Sequence, residues 1–171
     1  MIRRVALGAL AAPFVLPAIP AQAQTGAVQM VQVNPTQAAA LGGMAFALYT
    51  AQLAEQRGEN SAVRLFAQLE REEQQAFTLA RQQGGLPIAT PEMMDAEKRT
   101  MAAQLYALSG AQFDRMFLQG QMLGHQELLT LHQRIAQSPT STQEQMLATV
   151  AVPAIRTHMT VIEGIQRSMG G

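Results

Sequence analysis

The chain has 171 residues with 12 basic and 12 acidic side chains, so its formal charge is zero, and it contains no cysteine. Disulfides, thiol catalysis, thiolate metal sites and lipoprotein anchoring are therefore excluded. The basic residues form no run or stripe, which argues against nucleic acid or an anionic membrane surface as a partner.

Arg3 and Arg4 precede an apolar stretch, Val5 to Ile19, and Ala21-Gln22-Ala23 has the A-x-A form of a signal-peptide cleavage site. Pro13, Pro17 and Pro20 would each break a buried helix there. Residues 1–23 are therefore expected to be a cleaved signal peptide. The general secretory route fits better than twin-arginine export, whose motif Ile2-Arg3-Arg4-Val5-Ala6 matches poorly. Without the two arginines the mature chain carries a net charge of −2. It is expected in the periplasm or outside the cell. No later apolar run reaches the roughly 20 residues that span a bilayer.

Residues 24–33 form a polar, small-residue lead, expected to be flexible. A single helical-bundle domain is expected over 34–169. Asn34 as N-cap, Pro35 at the first helical position and Gln37 as the reciprocal partner of a capping box start helix one, which should end near Gly58. Asn60 or Ser61 caps helix two, which should stop at Gly84-Gly85. After a connector, Thr90-Pro91 starts a shorter helix to about 107. Ser109 with Gln112 forms a second capping box for a helix to about Gln137. Ser141 with Glu144 caps the last helix, with Pro153 inside it. Good helix formers dominate and strand signals are absent. The expected fold is all-α: an up-down-up-down four-helix bundle with an extra short helix between helices two and three.

A turn of roughly 100° per residue nominates the polar groups that face inward. On the last helix His158 lies mid-stripe among Ala151, Ile155, Ile162 and Ile165. On helix two, Glu73 is surrounded by Phe66, Leu69, Ala76 and Phe77. On the third long helix, Asp114, Gln121, His125 and His132 share one stripe with Leu118 and Leu128. All three histidines of the chain thus lie on apolar faces. Inward charge is costly unless paired or ligated, and two readings meet that demand. Glu73–His158 or Asp114–His hydrogen bonds would satisfy the core without a metal. Alternatively, Glu73, His125 and His158 hold one divalent ion (Zn, Fe or Mn), with Asp114 and His132 as secondary candidates. A di-iron centre is disfavoured, because it needs Glu-x-x-His and the chain has none. The methionines form no tight cluster and read as core filling. Catalytic signatures such as H-E-x-x-H and G-x-S-x-G are absent.

Three stretches carry a resemblance: Phe66-Ala67 running into Glu73, Phe113-Asp114-Arg115 with His125 eleven residues after the Asp, and Pro153-Ala154-Ile155-Arg156-Thr157-His158. Together with the Leu86-Pro87 connector and the export signal, they make the chain similar to the bacterial family catalogued as domain of unknown function 4142, over roughly residues 36–168. The resemblance implies a ferritin-like helical bundle, periplasmic or associated with the outer membrane, without an established activity. It carries over Asp114, His125 and His158. The chain departs from it at Glu73-Gln74, where members commonly have an acidic-His pair, and at Ala47, where they commonly have a Glu. Both departures weigh against a complete metal site. The resulting expectation is an exported, non-catalytic envelope or stress-related module that contacts a protein partner. The alternative is a ferritin-like metal-binding or redox bundle with a degenerate mononuclear site.

The export reading has a direct check. Intact-mass measurement of the protein recovered from the envelope should place its N-terminus at Gln24, within a residue or two. A mass that retains residues 1–23 would contradict it.

Overall fold

Five α-helices and one 3-10 turn make up residues 33–170, the part of the chain that the computed structural model describes, and no strand occurs among the described residues. The expected signal peptide and nearly all of the lead lie outside the described residues. The helices are α1 (Pro35–Arg57), α2 (Ser61–Gln83), α3 (Ala96–Ala107), α4 (Gly110–Gln137) and α5 (Thr142–Gly170).

Local chemistry explains most of the boundaries. Asn34 Oδ1 accepts from the Gln37 amide at 2.9 Å, and Gln37 Oε1 accepts from the Asn34 amide at 2.8 Å, closing the capping box. Asn60 caps α2 by accepting from the Ala62 amide. At the end of α2, Gly85 takes φ +66°, a left-handed conformation that side-chain-bearing residues adopt at a cost. One expected start and one expected capping bond are corrected. Pro91 opens only the three-residue 3-10 turn, and α3 is capped instead by Asp95, which accepts from the Lys98 amide and also pairs with the Lys98 ammonium. Thr90 and Ser109 make no side-chain capping bond, so the Ser109–Gln112 box does not form.

The packing order follows from the link lengths and the apolar faces. α1 lies against α2 and α4, α5 lies against α4 and α2, and the 3-10 turn and α3 cover a further side of α1. Enclosed in this way, α1 is buried continuously from Ala40 to Ala47. Its sequence suits that position, because alanines and glycines let neighbours approach closely. A Cβ on Gly42 would lie 2.5 Å from the Met93 carbonyl oxygen, and one on Gly43 would lie 2.8 Å from Leu128 Cδ2. Arg57 ties the far end of α3 to α1, donating to the carbonyls of Tyr106 (2.7 Å) and Leu108 (2.6 Å). α5 runs without a break through Pro153.

Two apolar clusters fill the space between the long helices. One contains Val63, Phe66, Phe113, Phe117 and Ile162; the other contains Leu41, Met44, Leu128, Ala151 and Ile155. The neighbours Leu65 and Phe66 measure their contribution. Phe66 is 2% exposed and Leu65 is 58% exposed. Denaturant unfolding should therefore find Phe66→Ala destabilised by about 3–5 kcal/mol and Leu65→Ala changed by no more than about 0.5 kcal/mol. Similar small losses at both would mean that the inward face of α2 is wrongly assigned.

Candidate metal centre

The two apolar clusters stand on either side of one level of the bundle. On α4 they take residues 113–118 and 128–135, and on α5 residues 162–165 and 148–155. Between them lies a polar layer made of Glu70 on α2, His125 on α4 and His158 on α5, with Thr50 of α1 and Gln121 of α4 beside it. Glu70 is 0% exposed and His125 is 1% exposed.

Three atoms converge in this layer. Glu70 Oε2 is 2.8 Å from His158 Nδ1 and 3.2 Å from His125 Nε2. His125 Nε2 and His158 Nδ1 are 3.1 Å apart. Glu70 Oε2 nevertheless lacks the alignment of a hydrogen bond to either ring. Three ligand atoms bound tetrahedrally to one ion at about 2.0–2.1 Å would lie roughly 3.3 Å from each other. The observed triangle is already close to that size.

The opposite end of each side chain is held. His125 Nδ1 sits 2.8 Å from the Gln121 carbonyl oxygen, which can only accept, so Nδ1 carries the proton and Nε2 is turned toward the triangle. His158 Nε2 faces Glu73 Oε2 at 3.3 Å. Gln74 Nε2 donates to Glu70 Oε1 at 3.0 Å. The Gln121 side chain donates to Thr50 Oγ1 at 2.8 Å, beside the layer. The Phe66 ring meets His158 edge-on, with centroids 5.6 Å apart, and walls the layer on the side of the first cluster.

Charge settles accordingly. Burial pushes the Glu70 carboxyl up, but the close imidazoles of His125 and His158 outweigh it and hold the group well below the usual carboxylate range. Burial pushes His158 down, but Glu70 and Glu73 outweigh it and raise its pKa to about 10. Without a metal, the layer is therefore an ion pair between a buried carboxylate and an imidazolium.

The residues nominated from sequence are distributed unequally. His125 and His158 meet in the layer. Glu73 is displaced from the centre: its side chain is 30% exposed, and it touches the layer through His158. Glu70 takes the central place. The buried arc of α2 is rotated by roughly 60° from the one centred on Glu73, because Leu69 and Ala76, counted as inward, are exposed. Spacing contained a signal for Glu70: it lies one turn from Phe66 and Gln74, which are both buried. Asp114 is buried elsewhere, with its two oxygens accepting from the Glu59 (3.0 Å) and Asn60 (2.7 Å) amides, so it organises the α1–α2 link and is not available as a ligand. His132 lies one turn or more beyond the layer. Burial and the charge of Arg81 lower its pKa to about 4. Ala47 is buried, and its carbonyl accepts from Gln121 Nε2 at 3.3 Å, so the layer receives no carboxylate from α1 at that position.

Three comparisons bear on this arrangement. The model of the family described as domain of unknown function (DUF4142) matches residues 17–165. No curated protein and no solved structure matches the chain.

The ion pair predicts a pH dependence for the metal-free protein. A folded-state pKa raised to about 10 stabilises fully below the unfolded value near 6.5 and is lost as pH rises from there through 10. Stability should therefore decline across that window in the wild type, and the decline should be flatter in His158→Gln. Proton NMR of the His158 ring titrating near 6.5 would contradict the ion pair.

Proposed function

We propose that this chain, which belongs to the DUF4142 family, is an exported metal-binding module: a ferritin-like helical bundle that holds one divalent transition-metal ion between Glu70, His125 and His158. One observation carries the reading. The three converging atoms each belong to a side chain whose other end is engaged: His125 and Glu70 are hydrogen-bonded to Gln121 and Gln74, and His158 Nε2 faces the Glu73 carboxylate at 3.3 Å. Ligand histidines and carboxylates are held in this manner, with the far nitrogen given to a carbonyl or a carboxylate. Two imidazoles and one carboxylate suit Zn(II), Fe(II) or Mn(II).

The site is mononuclear in this reading. Ala47 and Gln74 stand where a second carboxylate and a histidine would be needed for a paired centre. The bundle supplies rigidity and dryness, since two apolar clusters enclose the layer. The Arg3-Arg4 start, the apolar stretch and Ala21-Gln22-Ala23 support an envelope location. Four long helices packed as α1 on α2 and α4 on α5 support the ferritin-like comparison. A purely structural role, with a partner docking on the outer surface, is the second reading. It is favoured by the Glu70–His158 ion pair, which closes the layer without an ion.

Metal analysis of untagged protein and thermal unfolding separate the two. Mass action predicts that a metal at about 100 times its Kd stabilises by about 2.7 kcal/mol. This gain should vanish in Glu70→Gln and in His125→Ala. Glu73→Leu removes the carboxylate that faces His158 Nε2, so the metal should bind about 10- to 100-fold more weakly. Binding must displace the proton of His158, so affinity should fall as pH is lowered. No gain with Zn(II), Mn(II) or Fe(II), and no copurified metal, would leave the structural reading.

A further inference from the structure

The large apolar side chains left in water are unevenly placed. Of the ten among the described residues, six lie on α2 and α5, while α1, α3 and α4 carry one each. The six are Leu65, Leu69 and Leu79 of α2 with Met146, Val150 and Val161 of α5, each at least 40% exposed. They form two rows along one seam. Glu73 marks the side of α2 that meets α5, because its carboxylate reaches His158. Leu69 lies four residues before Glu73, with Leu65 one turn further back, and the row continues the other way through Ala76 to Leu79. On α5, Val161 lies three residues after His158, and Ala154, Val150 and Met146 precede it at four-residue steps. α3 and the 3-10 turn lie against α1 and α4, so among the described residues nothing covers this seam.

The rows are also self-complementary. α2 and α5 are antiparallel: Glu70 is level with His158, and a Cβ on Gly84 would lie 3.4 Å from Gln143 Cβ. Four residues on from Glu70 is Gln74, and four back from His158 is Ala154, so these two share a level. Gln74 is also the midpoint between Leu69 and Leu79, and Ala154 adjoins the midpoint between Met146 and Val161. One two-fold axis crossing the seam at that level sets Leu69 against Leu79 of a second copy and Met146 against Val161 of that copy, and each pair then occurs twice. The small side chains of Ala76 and Ala154 stand near the axis and allow close approach. Charge does not oppose the contact, because Glu72 pairs with Arg71 at 3.4 Å and Glu73 faces the His158 imidazolium at 3.3 Å. A face as long as α2, about 34 Å, and two helices wide, roughly 20 Å, offers roughly 700 Å² per copy, close to the roughly 800 Å² of a standard interface.

We propose that this seam is the interface of a homodimer, in which α2 packs antiparallel to α2 of a second copy and α5 packs antiparallel to α5 of that copy. The contact does not depend on a metal. It closes the solvent side of the polar layer, since Glu73 and the outer nitrogen of His158 lie beneath it. An amphipathic helix of another protein would meet the same apolar rows, but the coincidence of both midpoints at one level is a property that only a two-fold contact uses.

The test uses the full mature protein. Sedimentation velocity from about 1 to 100 µM should show a species of twice the chain mass. Leu79→Glu and Met146→Glu each bring one charge per copy into the contact. Each should weaken the dimer about 100-fold or more, with the helical circular dichroism signal unchanged. Leu123→Glu, at an exposed position of α4, should leave the dimer intact. The chain has no cysteine, so Leu69→Cys combined with Leu79→Cys reads the register. Within one copy these positions are ten residues apart on one helix, roughly 15 Å and too far for a disulfide, so oxidation should join two copies. A monomer at every concentration, the outcome if the seam serves a different partner, would overturn the proposal. So would a dimer that tolerates either glutamate, or one that the cysteine pair does not cross-link.

Discussion

A carboxylate with no exposed surface, Glu70, constrains everything around it. Removing such a charge from water costs several kcal/mol unless it is paired and bonded. α2 cannot meet that cost from its own residues beyond one Gln74 bond. The imidazolium that does so, His158, comes from α5, and His125 of α4 completes the triangle beside it. The bundle must therefore bring three helices together at one level, and a sliding of any of them would strand the charge. The apolar clusters above and below supply the bulk of the driving force; the polar layer selects the register.

A proton and a metal ion would compete for the same nitrogen. In the metal-free protein, His158 Nδ1 neutralises Glu70 as part of an imidazolium. A divalent ion in that position would neutralise the same carboxylate and use the same atoms. The support around the layer serves both states equally. The Gln121 backbone carbonyl fixes the His125 tautomer, and the Glu73 carboxylate faces the outer nitrogen of His158 at 3.3 Å. Such a layer is pre-organised, so little reordering would accompany an exchange of proton for metal.

Polar knots also close the two ends of the core. Near one end, Asp114 satisfies two amides of the α1–α2 link. Near the other, Glu144 accepts from Thr140 through its amide and hydroxyl, and from Gln37 Nε2 at 2.7 Å, tying the start of α5 to the start of α1. Burial pushes the Glu144 carboxyl up, but these bonds outweigh it and lower its pKa. Gln37 thus serves twice, in the capping box of α1 and as a bridge to α5.

Much of this was legible in the order of residues, because it depends on neighbours along the chain. Asn34-Pro35 with Gln37, Asn60 and Gly84-Gly85 act within one helical turn and mark where the long helices begin or end. His125 and His158 stood out for a similar local reason: each is a polar residue in the middle of an apolar face. The choice between Glu70 and Glu73 was not local. Leu65, Leu69 and Leu79 are apolar yet exposed, and they drag the apparent stripe of α2 away from its true centre. The same blindness placed Asp114 with the histidines, when its oxygens are taken by amides 54 and 55 residues away. A sequence states which side chains share a face. The rotation of α2 about its own axis, and so which carboxylate meets the imidazoles, is decided only when α1 and α5 pack against it, because burial of whole faces outweighs the preference of any single residue.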